Sequence, residues 1–130
     1  MKLTQEQVES LATAVLAVGL WPADRVVTAL PQLREAGVLN PAGVAGMDLG
    51  VLTVKLNGNG YGRGLLTSMY AERLQALMRE IAGGGLDELA DLVAAGKQED
   101  FAMRLREIHG VGPKVAANAW AFLAGTICRT

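Results

Sequence analysis

The stretch Leu105-Arg106-Glu107-Ile108-His109-Gly110-Val111-Gly112-Pro113-Lys114-Val115-Ala116-Ala117-Asn118-Ala119-Trp120 stands apart from the rest of the chain. Its centre, Gly110-Val111-Gly112, carries almost no side chain. Backbone N–H groups there can come into direct contact with a ligand, and positive φ is open at both glycines. Pro113 suits the first turn of a helix, where an N–H is not needed and φ must be near the proline value. The amides around it then point out of a helix N-terminus, whose unpaired donors and partial positive charge suit a phosphate oxygen. Lys114 adds a mobile cation beside them. Ile108 and Val111 are placed to pack the flanking helices, with Ala116 and Ala117 small enough to let them approach. A plain αα-turn is the simpler alternative, since Gly-x-Gly alone is common. The whole pattern, hydrophobic-x-Gly-Val-Gly-Pro-Lys-x-Ala between amphipathic segments, is far more specific.

Outward from this element, the composition predicts helices. The chain has 130 residues, enough for one domain with its own core. Hydrophobic residues at 51% against 19% charged indicate a globular rather than a disordered chain. With aromatics at only 5%, the core must come from Leu, Val, Ala and Met, and the scarcity of β-branched and aromatic runs argues against a β-sandwich.

Net charge is −1, so the molecule as a whole does not attract nucleic acid. The distribution is uneven. Between 80 and 100 the acids Glu80, Asp87, Glu88, Asp91, Glu99 and Asp100 face only Lys97. From 101 onward Arg104, Arg106, Lys114 and Arg129 face only Glu107. Phosphate contacts are therefore expected at the C-terminal end. A single cysteine, Cys128, excludes an intrachain disulfide and a four-cysteine metal or iron–sulfur site. Lys2 followed by a polar helix start does not read as a signal peptide, and no run reaches the ~20 apolar residues that span a bilayer. A cytoplasmic protein without a membrane segment is expected.

Along the chain, Thr4 and Gln7 form a capping box, and Val8, Leu11, Ala12, Val15 and Leu16 follow as one apolar stripe closed by Gly19. Pro22 opens a second helix through Val26, Val27 and Leu30 as far as Pro31, with Gln32–Ala36 undecided. Asn40-Pro41 caps a short segment, and a helical piece covers Leu49–Leu56. Asn57-Gly58-Asn59-Gly60 reads as a loop. The strongest helix has Leu66, Met69, Leu74, Leu77, Met78 and Ile81 on one face and stops at Gly83–Gly85. Leu86, Leu89, Leu92 and Val93 make a shorter helix ended by Gly96, and Phe101–Ile108 and Pro113–Leu123 complete the chain. The expectation is an all-α, compact multi-helix domain over 1–130, of about six to eight helices.

Residues 105–122 resemble the helix-hairpin-helix motif, here placed at about 101–124. The surrounding 8–125 is similar to the helical core of the endonuclease III-like DNA glycosylase superfamily. The matching pieces occur in order: the apolar Leu11–Leu16, the glycine-rich approach Gly60–Gly64, the segment Leu66-Thr67-Ser68-Met69-Tyr70-Ala71-Glu72-Arg73-Leu74, then the hairpin. The resemblance implies that hairpin amides grip a DNA phosphate, with a monovalent cation on hairpin carbonyls in many members. It also implies a Schiff-base lysine just after the hairpin in the bifunctional members, a position that Lys114 occupies. Catalytic members carry an aspartate beyond the second motif helix. Nothing acidic follows Glu107 here, and Asp24, Asp87, Asp91 and Asp100 all precede the hairpin.

The candidate DNA-binding residues are thus His109, Gly110, Val111, Gly112, Lys114, Arg104 and Arg106. Lys114 is either a phosphate contact or a nucleophile, and as a nucleophile it would need a neutral amine held by burial or neighbouring cations. His109 reads as a turn-packing or phosphate-adjacent residue, with no partner carboxylate evident. Arg104 and Arg106 flank the DNA backbone or simply a solvated face. Tyr61 and Tyr70 lie where the family carries base-pocket residues, and Tyr70 reads equally as a core aromatic. Trp21 and Trp120 read as core anchors. No metal site is expected, and no cofactor beyond the monovalent cation.

Three functions follow. The first is DNA binding through the phosphate backbone, without full glycosylase activity. The second is an active glycosylase and abasic-site lyase using Lys114. The third is an interaction module, in which a partner chain or second copy covers the apolar flank Trp120, Phe122, Leu123 and Ile127.

Overall fold

The computed structural model describes residues 3–17 and 21–127, the side chain of Ile127 excepted. Gly19 and Cys128 lie outside the described residues. Eight α-helices and one 3₁₀ turn account for the secondary structure there, with no strand. The chain is all-helical.

Helix α1 (Gln5–Leu16) starts at the expected capping box, in which Thr4 Oγ1 accepts from the Gln7 N–H at 3.1 Å and Gln7 Oε1 accepts from the Thr4 N–H at 3.0 Å. Its apolar stripe understates its burial. Every residue from Leu11 to Ala17 is buried, because α1 is wrapped by α2 (Ala23–Glu35), α5 (Thr67–Ala82) and α8 (Pro113–Ile127). Ala12 and Ala14 let neighbours come close on two sides. The hydroxyl of Thr13 is satisfied within the helix, donating to the Glu9 carbonyl at 2.8 Å.

Pro22 sits just before α2 rather than inside its first turn, and α2 runs through Pro31 to Glu35. Pro31 lies on the exposed side, where the bond it cannot make leaves a carbonyl to water. This continuation places Arg34 over α1. Its guanidinium binds Glu9 by two bonds, Nη2 to Oε1 at 2.7 Å and Nε to Oε2 at 2.8 Å. Gln5 Nε2 joins the group, donating to Glu9 Oε2 and to the Leu39 carbonyl.

Asn40 caps α3 (Pro41–Ala45) and Asp48 caps α4 (Leu49–Gly58), each through its side-chain oxygen. Helix α4 takes in Asn57 and Gly58, so only Asn59 and Gly60 turn the chain. Gly60 is required there twice over: its φ is +95°, and a Cβ would lie 3.1 Å from Ala29 Cβ on α2. The 3₁₀ turn Gly64–Leu66 leads into α5 and leaves Leu65 fully exposed. On α5, Leu74, Leu77, Met78 and Ile81 are buried as the periodicity predicts, whereas Leu66 precedes the helix and is half exposed. Buried Gln75 donates to the Val44 carbonyl at 3.1 Å and to the Met47 carbonyl at 2.6 Å, tying α5 to the end of α3 and the residues just after it. Helix α6 (Leu89–Ala94) starts later than expected, although Leu86 is fully buried ahead of it. Helix α7 (Gln98–Arg106) and α8 then pack against each other.

The hydrogen bonds from Arg34 hold the Glu9 carboxyl below the ordinary carboxylate range, against the burial that would raise it. A carboxyl depressed on folding stabilises the protein above its unfolded pKa and loses that contribution as pH falls through the folded value. Glu9→Gln should therefore lower Tm by a few degrees at neutral pH, and the gap to wild type should close in the acid range. Thermal melts across pH test this; a gap that stays constant would refute the role assigned to the pair.

Candidate functional site

The α7–α8 pair is held by apolar contacts whose positions follow from the helical period. Phe101 and Leu105 on α7, Ile108 and Val111 in the turn, and Ala116, Ala119 and Leu123 on α8 are all buried. Trp120 packs edge-on against Phe101, with ring centroids 5.2 Å apart. Ala116 supplies the close approach, whereas Ala117 is exposed and takes no part. Leu123 is completely buried within the chain, since α8 lies on α1, so the apolar flank expected there is smaller than the sequence suggests.

The turn itself is closed by the Ile108 N–H to the Leu105 carbonyl at 3.0 Å and the Val111 N–H to the Ile108 carbonyl at 3.1 Å. The first bond of α8 runs from the Ala116 N–H to the Gly112 carbonyl at 3.0 Å. The amides of Gly112, Lys114 and Val115 precede any intrahelical acceptor, and Pro113 has none to satisfy. The two glycines serve different purposes. Gly110 has φ +83°, and a Cβ on it would overlap Arg73, lying 2.7 Å from Cδ. Gly112 does not have positive φ, contrary to the expectation for both, and nothing stands within 4 Å of where its Cβ would be. Gly110 is thus needed by the fold. Gly112 leaves open space in front of uncommitted amides.

Around this turn, the candidate side chains divide. Lys114 and Arg106 are exposed, and no carboxylate pairs with either among the described residues. Arg104 is committed to the fold: Nε donates to the Gly85 carbonyl at 3.1 Å, Nη2 to Glu80 at 2.8 Å and Nη1 to Glu107 at 3.5 Å. It ties α7 to the glycine-rich loop after α5. His109 does have a carboxylate beside it, with Nε2 at 3.4 Å from Glu72 Oε1, both side chains exposed. The sequence hid that neighbour because Glu72 belongs to α5. Ile108 and Gly112 carbonyls already accept amides, and no group of three His, Cys, Asp or Glu able to hold a metal occurs among the described residues.

Tyr61 and Tyr70 are core side chains. Tyr61 is completely buried between Trp21, at 4.8 Å between centroids, and Tyr70, edge-on at 6.1 Å. Its hydroxyl donates to the Leu16 carbonyl at 2.6 Å, capping the C-terminal end of α1. Burial pushes this phenol up to about 12, the nearby Arg63 pulling the other way. No face of Tyr61 is open to a base.

Three arginines that the sequence did not single out cover this aromatic cluster. Arg25 lies 4.0 Å above the Trp21 ring, Arg63 lies 4.5 Å above Tyr70, and Arg73 lies 5.3 Å from the same Tyr70 ring. They come from α2, the loop before α5, and α5, so no local spacing could have announced them. No helix in the described residues is long and apolar enough to cross a membrane. Compared with protein-family models, with curated proteins and with solved structures, the chain matches none.

A phenol raised on folding stabilises the protein below the unfolded pKa, near 10, and loses that contribution as pH rises through the folded value. Tyr61 should accordingly resist ionisation until about pH 12, in step with alkaline unfolding. Tyr61→Phe should remove the most resistant step of an ultraviolet alkaline titration and destabilise by about 1–2 kcal/mol, because the Leu16 carbonyl loses its donor. An unchanged titration in a folded Tyr61→Phe protein would contradict this placement.

Proposed function

We propose that the α7–α8 turn is a helix-hairpin-helix element that holds a DNA phosphate, in a protein that binds DNA with little regard to sequence. One observation carries the reading: the uncommitted amides of Gly112, Lys114 and Val115 stand at the start of a 15-residue helix, with open space at Gly112 and an exposed cation at Lys114. An anion placed there meets several donors and the positive end of the helix dipole at once. Arg106, also exposed, is positioned on α7 to add long-range attraction, while Arg104 spends its donors inside the fold. Because amides and exposed cations address phosphate rather than base edges, this interface sets affinity and not sequence preference.

The resemblance of the sequence motifs in residues 8–125 to those of repair glycosylases suggests base excision as the setting, and the proposal is binding without base-excision turnover by this chain. Lys114 supports that choice. A Schiff-base nucleophile is favoured by apolar enclosure, and this lysine is exposed. Borohydride reduction on abasic-site DNA should yield no covalent adduct. An adduct lost in Lys114→Ala would establish the lyase instead.

For the binding itself, affinity on the order of micromolar is expected at physiological salt, weakening steeply as salt rises. Gly112→Val should reduce binding more than Lys114→Ala, since its side chain enters the open space before several amides without straining the backbone. Lys114→Ala should lower the salt slope by about one. Fluorescence-anisotropy titrations with an undamaged duplex at several salt concentrations decide the matter. No binding at low salt, or full binding by folded Gly112→Val, would defeat the hairpin reading.

A further inference from the structure

We infer that Arg25, Arg63 and Arg73 form a second phosphate-binding patch, beside the hairpin, that takes the backbone of the same DNA. This rests on the DNA-binding reading above but on different residues. Three guanidinium groups converge on one aromatic cluster. Arg25 and Arg63 lie 4.0 and 5.8 Å from the Trp21 centroid, and Arg63 and Arg73 lie 4.5 and 5.3 Å from the Tyr70 centroid. Through the shared rings Arg63 stands within about 10 Å of both Arg25 and Arg73, a range over which like charges repel at low salt and an anion between them is attracted by each. Yet among the described residues no carboxylate lies within ion-pair distance of any of the three. The nearest acid in sequence to Arg73 is Glu72, which is turned to His109.

The patch is also built rather than incidental. The Arg63 N–H donates to Thr67 Oγ1 at 2.8 Å, and that fully buried hydroxyl donates to Asn57 Oδ1 at 2.9 Å, fixing the loop. Arg63 Nη1 leans on the Tyr61 hydroxyl at 3.4 Å. Arg73 lies against Gly110, so the patch and the hairpin turn are contiguous. Trp21, Tyr61 and Tyr70 are themselves buried, at 8%, 0% and 7% exposure, so the rings cannot stack on bases. What they supply is a rigid floor that keeps the guanidinium groups in place, and planar guanidinium donors suit phosphate oxygens. The ligand chemistry is a phosphodiester backbone, read without base recognition.

The test is salt-dependent anisotropy with the same undamaged duplex. The triple variant Arg25→Gln/Arg63→Gln/Arg73→Gln should weaken low-salt binding at least about tenfold and lower the salt slope by about two to three, against about one for Lys114→Ala. If circular dichroism shows that the triple variant fails to fold, Arg25→Gln alone, at an exposed position, should lower the slope by about one. A lower Tm with an unchanged slope would mean that the arginines only cover the rings, and would overturn the proposal while leaving the hairpin reading intact. Loss of binding in the arginine variants with none in Gly112→Val would do the reverse. A wild-type protein that ignores the duplex at low salt would overturn both.

Discussion

The burial of α1 is the constraint on which the rest of this structure depends. A helix hidden from Leu11 to Ala17 must be covered on every side, and α2, α5 and α8 are the covers. Enclosing it removes apolar surface that would otherwise face water, the dominant favourable term in folding. The polar groups that go under with it are each answered: Thr13 by the Glu9 carbonyl, Glu9 by Arg34 and Gln5, the Leu16 carbonyl by Tyr61. These bonds also fix direction. Glu9 sets where the end of α2 lies, and Leu16 sets where the loop before α5 lies.

The candidate site inherits its shape from that arrangement. With α8 packed on α1, the α7–α8 turn at its N-terminus lies against the first half of α5. Glu72 and Arg73 on α5 then meet His109 and Gly110. The same helix carries Tyr70, whose ring closes the aromatic cluster beneath Arg63. A single helix therefore joins the open amides of the turn to the three arginines over the aromatic cluster. Arg25, Arg63, Arg73 and Lys114 lie around this turn and cluster in a protein whose net charge is −1, with Glu72 beside His109 and with Glu80 and Glu107 bound to Arg104. Local charge rather than net charge governs what such a face can attract.

The sequence alone determined the helical class, the capping box at Thr4, the Asn40 cap, the face of α5 from Leu74 to Ile81 and the position of the α7–α8 turn. Each of these is set by residues a few positions apart, through caps, glycines, prolines and the 3.6-residue period, so it can be read without knowing what packs where. The Gly110 and Gly112 pair was legible as a turn for the same reason. Only the tertiary structure decided which glycine is structural, because the obstacle at Gly110 is Arg73, far away in sequence. It also decided that α2 continues past Pro31, that Arg104 is spent on Glu80 and Gly85, and that Tyr61 lies in the core under three arginines. Those outcomes depend on side chains meeting across helices, and the burial of α1 on all sides fixes which helices meet.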